Sequence, residues 1–257
     1  MRCALVFIAI SLSAYAQLGP APAKPKPARN AKEGAPVDFT GYWVSVVTED
    51  WRWRMVTPAV GDFAGIPLTA EGRKIGNAWD PAKDEAAGEQ CRSYGAPAVM
   101  RIPGRLHITW ADDNTLQIDT DQGTQTRLLH FGGKPTSGTT ALGQGYSVAQ
   151  WEPAVRGLGS PQQGLGATRE GNRGRSLEVV TTQIRPGYLR KNGPPYSGNT
   201  VLKEFFDLSV ERNGDLWFVV TTIVEDPQNL TEPFVTSTNF KKQKDAAGFS
   251  PSACTSR

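Results

Sequence analysis

From residue 105 onward the chain alternates apolar and polar side chains in short runs separated by turn residues. Leu106, Ile108 and Trp110 share one face against His107 and Thr109. Leu116 and Ile118 oppose Gln117 and Asp119, and Arg127, Leu129 and Phe131 oppose Thr126, Leu128 and His130. A period of two is the signature of β-strands. Strands are expected at 98–103, 105–110, 115–120, 124–131, 145–151, 176–184 and 234–241, and in a hairpin over 201–226. Pro103-Gly104, Asp112-Asp113-Asn114 and Asp121-Gln122-Gly123 supply tight turns between them. Upstream, 41–47 reads as the first strand. A second alternating run places Trp51, Trp53 and Met55 opposite Arg52, Arg54 and Val56. Arginines beside tryptophans invite a cation–π or anion-binding role. A half-exposed strand with its arginines snorkelling to water accounts for them more simply. Residues 68–79 are the best helix, N-capped by Thr69 and weakened by Gly72 and Gly76, and 80–90 reads as loop. About ten strands and one short helix predict an all-β fold, an antiparallel barrel of about 8–10 strands or a strongly bent sandwich.

The hairpin is the clearest element. Asn213-Gly214 predicts a two-residue type I′ turn. That turn sets Val210 opposite Trp217, Leu208 opposite Val219, Phe206 opposite Thr221 and Glu204 opposite Ile223. Leu202, Phe206, Leu208 and Val210 would then share a face with Trp217, Val219 and Ile223, interrupted only by Glu204, Thr221 and Glu225. Either those glutamates emerge at the sheet margin, or Glu204 is an inward carboxylate in a cavity, where an unpaired charge is costly.

The ends read differently. Residues 1–16 have the charged start, short apolar stretch and Ala14-Tyr15-Ala16 site of a secretory signal peptide, so export to the periplasm or outside the cell is expected. Residues 17–37, rich in Pro, Ala and Lys, read as a disordered tether, and 38–257 as one domain. Within it, residues 153–175, rich in Gly, Gln, Pro and Arg, read as a flexible excursion. The formal net charge is +3. The signal carries one of those positive charges and the tether a net three, so the folded part is close to neutral and lacks the footprint of a nucleic-acid binder. No segment beyond the leader is apolar enough for a membrane span. Cys3 leaves with the signal; Cys91 and Cys254 then form a disulfide, or remain free thiols or a metal pair.

No Gly-x-Ser-x-Gly, Ser-x-x-Lys, His-x-His or His-Glu-x-x-His motif is present, and His107 and His130 are the only histidines. No metal or cofactor is expected. Metal-free acid–base chemistry would rest on Glu204 with His107 or His130. Trp110, Arg127, Tyr146, Trp151, Glu152, Tyr188 and Trp217 are the candidates for touching a ligand.

Several stretches carry a resemblance: Cys91 through Gly95-Ala96-Pro97, Met100, Thr126-Arg127, the run 145–152, the strand containing Glu204, and 222–227 followed by 230–234. Over residues 38–257 the chain resembles a family of exported β-proteins from acidobacteria and proteobacteria. Many of its members pass from the Trp-Glu pair, here Trp151-Glu152, straight into the next strand, without an excursion like 153–175. The resemblance implies fold and export and carries no activity. Gly41-Tyr42-Trp43 is similar to the Gly-x-Trp start of lipocalins, which implies a barrel for small apolar ligands. The leading expectation is an exported barrel that binds a small, partly apolar molecule in its cavity. The alternatives are a cofactor-free isomerase, lyase or hydrolase using Glu204, and an interaction module of the cell envelope.

Overall fold

The computed structural model describes residues 30–134, 143–152 and 176–256. The expected signal peptide, most of the tether and the excursion at 153–175 lie outside these residues. The strands are β1 (Gly41–Val46), β2 (Arg105–Asp112), β3 (Thr115–Thr120), β4 (Thr126–Phe131), β5 (Tyr146–Trp151), β6 (Leu177–Thr182), β7 (Gly187–Tyr188), β8 (Pro195–Tyr196), β9 (Val201–Val210), β10 (Leu216–Glu225) and β11 (Phe234–Lys242). Nine of them close a barrel in the order β1-β11-β10-β9-β6-β5-β4-β3-β2, and β7 and β8 form a separate ribbon. The barrel is mixed: β4 and β5 are parallel, whereas every other neighbouring pair is antiparallel.

The long β1–β2 connection caps one end of the barrel with short helices: α1 (Trp51–Arg54), α2 (Ala70–Asn77), α3 (Pro81–Ala86), a 3-10 turn at Gln90–Tyr94, and α4 (Ala96–Val99). Only α2 was legible as a helix. Thr69 caps it by accepting from the Gly72 N–H. Its glycines are packing requirements: a Cβ on Gly72 would stand 2.6 Å from the Asn229 carbonyl oxygen, and one on Gly76 2.7 Å from the Phe63 ring. The strand expected over 98–103 is instead α4 and the turn after it, with Pro97 in the first helical turn, where its missing N–H costs nothing. The run expected as a strand over 51–56 is the single turn α1. Asp50, at φ 51°, turns the chain out of β1. One residue of the side expected outside goes in, Arg54, while Arg52 and Val56 of that side stay exposed and Trp51 is 65% exposed. In the stretch expected as loop, Asp80 caps α3 by accepting from the Ala82 N–H, with Pro81 at the helix start.

The β9–β10 hairpin is paired one residue out of the expected register. Leu216 faces Val210, Phe218 faces Leu208, Val220 faces Phe206 and Thr222 faces Glu204. The Glu211 carbonyl accepts from the Gly214 N–H at 2.9 Å, and the Asp215 carbonyl accepts from the Glu211 N–H at 2.8 Å. Gly214 alone in the turn has positive φ, +84°. This is a type I turn with a glycine bulge, a three-residue loop. Asn213 stays right-handed because its side chain is engaged, accepting from the Asp215 N–H at 3.0 Å and donating to the Asp215 carboxylate at 2.8 Å. A one-residue slip turns a strand over. Phe218, Val220 and Val224 therefore point inward, and Trp217 outward. The same slip keeps Glu225 outside, where it pairs with Lys203 at 2.9 Å.

Two apolar clusters result. One fills the barrel body with Trp43, Ile108, Ile118, Leu129, Leu177, Phe206, Phe218 and Phe240; Phe218 stacks on both Phe206 and Phe240 with ring centroids 5.4 Å apart. The other joins the strand ends Leu202, Val224 and Phe234 to Phe63, Ile66, Leu189 and Tyr196 of the cap. One inward step between them is polar: Glu204 on β9, Thr222 on β10 and Thr236 on β11, all buried. Beyond β11 the chain straps back over the cap. Cys254 is disulfide-bonded to Cys91, with Cα atoms 5.1 Å apart, and the Thr255 N–H donates to the Tyr94 hydroxyl at 3.2 Å. At the other terminus, residues 30–37 of the expected tether dock on the β2–β3 turn: Ala31 N–H donates to the Asn114 side chain and Lys32 N–H to the Asp113 carbonyl, each at 3.0 Å.

Candidate functional site

Glu204 is inward and wholly buried, and its partner is Arg127, projecting from β4 across the barrel. Both are 0% exposed, and the guanidinium donates to both carboxylate oxygens, at 3.0 and 2.5 Å. Such a fork-to-fork pair is the strongest arrangement available to two buried charges. Removing one partner strands the other as an uncompensated buried charge. The geometry makes Glu204 an acceptor already engaged through both oxygens. The histidines expected beside it lie on the outer surface. His107 stacks on Tyr42, centroids 4.1 Å apart, with Phe249 against its edge. His130 stacks on Tyr146 at 4.7 Å, so Tyr146 is outside as well. The three groups of the acid–base constellation are not brought together.

The other expected ligand residues scatter. Trp110 and Trp151 meet Phe131 at the uncapped end, the one that no described helix covers, and Phe39 stacks on Trp151 at 6.0 Å. Glu152 is at that rim, its N–H donating to the Ser176 carbonyl. Trp217 faces outward next to inward Phe218. Tyr188 is in the cap ribbon, with the Arg92 guanidinium 4.4 Å above its ring and its hydroxyl 3.4 Å from Asp84. Burial, opposed by Arg92, pushes that hydroxyl up to about 12.

A site that the sequence reading did not assemble lies where α1, the α4–β2 connection and the β7–β8 ribbon converge. A pocket of about 300 Å³ opens there, lined by Trp53, Met55, Pro58, Arg101, Ile102 and Arg190, among others. Arg54 forms its floor: it is ion-paired with Glu49, donates to the Arg101 carbonyl at 2.9 Å and to the Ser45 hydroxyl at 3.1 Å. Arg101, 5% exposed, donates one Nη2–H to Asp50 at 2.8 Å. Arg190, 7% exposed, donates to the Ala64 carbonyl at 2.5 Å and lies over the Trp53 ring, 5.4 Å from its centroid. Among the described residues, Nη1 of Arg101, Nε and Nη1 of Arg190, and the Trp53 indole nitrogen are buried without a hydrogen-bond partner. Burial first, and the charge of Arg101 second, pull the Arg190 guanidinium down to about 10, against the opposing pull of Asp50 and Asp62. Burial also lowers Arg54. Three buried cations thus crowd one cavity with donors to spare. Unsatisfied buried donors are uncommon in folded proteins and require a partner.

Comparisons with protein-family models, with curated proteins and with solved structures return no match. Among the described residues no helix is long and apolar enough to cross a membrane, and no group of three or more His, Cys, Asp or Glu side chains converges as a metal site would require.

Proposed function

We propose that this is an exported binding protein that takes a small, partly apolar molecule at the capped end of its barrel. The observation that carries the reading is the pocket between α1 and the β7–β8 ribbon. It pairs an apolar wall of Trp53, Met55, Pro58 and Ile102 with a few buried polar groups whose hydrogen-bonding capacity is unused, the usual composition of a small-molecule site. In the barrel body the described inward side chains are mostly aromatics and aliphatics, and its one charged pair, Arg127 with Glu204, is already neutral. Export is supported by the leader-like first sixteen residues and by the disulfide, which persists in oxidising compartments.

A ligand that binds only the folded state raises its unfolding temperature. Thermal unfolding against a panel of small metabolites should therefore give saturable shifts that Trp53→Ala abolishes and Trp110→Ala leaves intact. A panel whose hits follow Trp110 instead would move the site to the uncapped end.

A further inference from the structure

We infer that the pocket takes a singly charged carboxylate, held between Arg101 and Arg190 with the apolar body of the molecule against Trp53. This rests on the pocket being a binding site and adds the charge and chemical class of what it binds. The inference starts from the charge balance. Arg54, Arg101 and Arg190 face Glu49 and Asp50, one carboxylate short of neutrality. Counting Lys191 at the rim, which meets the Thr255 hydroxyl at 2.9 Å and the Tyr94 ring at 4.8 Å, and Asp62, which also acts on Arg190, adds one charge of each sign and leaves the balance one carboxylate short. A monoanion supplies what is lacking; a dianion would exceed it.

Donor geometry agrees with the balance. Arg54 is spent on Glu49, the Arg101 carbonyl and Ser45. Arg101 retains Nη1, and Arg190 retains Nε and Nη1, all buried on the walls of one cavity. Nε and Nη1 of one guanidinium point to different edges, so a carboxylate between the two arginines takes one charge-assisted N–H from Nη1 of Arg101 and one from Arg190. Arg190 is not free to swing toward a carboxylate elsewhere, since its Nη2 is tied to the Ala64 carbonyl and its guanidinium lies over Trp53. Its unused donors are therefore fixed in place before any ligand arrives, which reduces the entropy lost on binding. The Trp53 face, Met55, Pro58 and Ile102 complete a slot for a flat apolar body.

The test measures thermal shift and calorimetric affinity of the full exported chain for benzoate, benzamide, phenyl phosphate and inorganic phosphate. Benzoate is expected to bind saturably, and benzamide, its uncharged isostere, at least about tenfold more weakly, since hydrogen bonds to a charged group contribute on the order of 1.5–3 kcal/mol. Arg190→Gln should weaken benzoate by about tenfold or more while leaving benzamide unchanged. Arg190→Lys, which keeps the charge and loses the fixed planar donors, should fall between. Circular dichroism establishes that both variants are folded, and the benzoate–benzamide comparison in the unaltered chain needs no variant. Benzamide binding as well as benzoate, with Trp53→Ala weakening both, would overturn the carboxylate inference and leave the binding site standing. Phenyl phosphate or inorganic phosphate outcompeting benzoate would overturn the monoanion. A saturable response to none of the four would overturn the inference, and the binding-site reading would then stand or fall on the metabolite panel.

Discussion

Arg127 and Arg190 are both buried, and they are buried in opposite ways. Arg127 meets Glu204 fork to fork in the polar layer between two apolar clusters, and the charges cancel on the spot. Arg190 lies in the cap with a carbonyl and an indole ring for company, a second guanidinium nearby, and two N–H groups unused. A matched pair is architecture: its charges cancel, Nε of Arg127 is the one nitrogen of the pair left without a partner, and the pair fixes β4 relative to β9. A surplus of cations with spare donors on a cavity wall is a disposition to bind. Burial alone does not separate the two cases; the state of the partners does.

The largest effect expected follows from breaking the matched pair. Glu204→Gln or Arg127→Met should cost about 3–5 kcal/mol in urea unfolding, because each strands a buried group. The double substitution Arg127→Met with Glu204→Leu should recover much of that loss. A cost near zero for either single change would show that water reaches the layer. Next in size, Cys91→Ser with Cys254→Ser should cost about 2–5 kcal/mol. It should loosen the tail that holds Thr255 against Lys191, and hydrogen exchange should then report the change in the cap and tail rather than in β9 and β10.

Arg190→Gln should behave unlike Arg127. A guanidinium whose folded pKa is pulled down to about 10 holds its proton more tightly in the unfolded chain. Its charge therefore opposes folding at every pH below about 10, and that penalty is relieved only as pH climbs toward the ordinary arginine value. Removing the charge should leave stability within about 1 kcal/mol of the parent, or raise it, despite deep burial. A loss as large as that from Arg127→Met would erase the distinction between the two sites. The smallest change is expected outside. Lys203→Ala, which breaks the half-exposed pair with Glu225, should cost at most about 1 kcal/mol.

The barrel was legible because nine strands, each apolar on one side, cannot bury those sides separately. Alternation in β2, β3 and β4 therefore marked the strands and grouped Arg127 with Leu129 on what is the inward side, while the same alternation leaves His107 and His130 outside, against the expectation that they meet Glu204. The register of the β9–β10 hairpin was not, because it turns on whether Asn213 adopts a left-handed conformation or uses its side chain on Asp215. That local choice swaps Trp217 for Phe218 in the core. Glu204 was found through its apolar neighbours on β9, yet its partner came from a strand 77 residues earlier, a separation that no local pattern encodes. The arginine pocket was hardest. The Trp-Arg alternation at 51–54 has the period of a strand. Its meaning depends on Arg101 and Arg190, brought to it by a cap of short helices and turns with no sustained period.

The most direct measurement is an anomalous difference map from crystals of the protein soaked in 4-bromobenzoate, which places the bromine without regard to any assumed site. The account predicts one strong peak over the Trp53 ring, with the carboxylate between Arg101 and Arg190. A peak among Trp110, Phe131 and Trp151 at the uncapped end, or beside the Arg127–Glu204 pair, would contradict it.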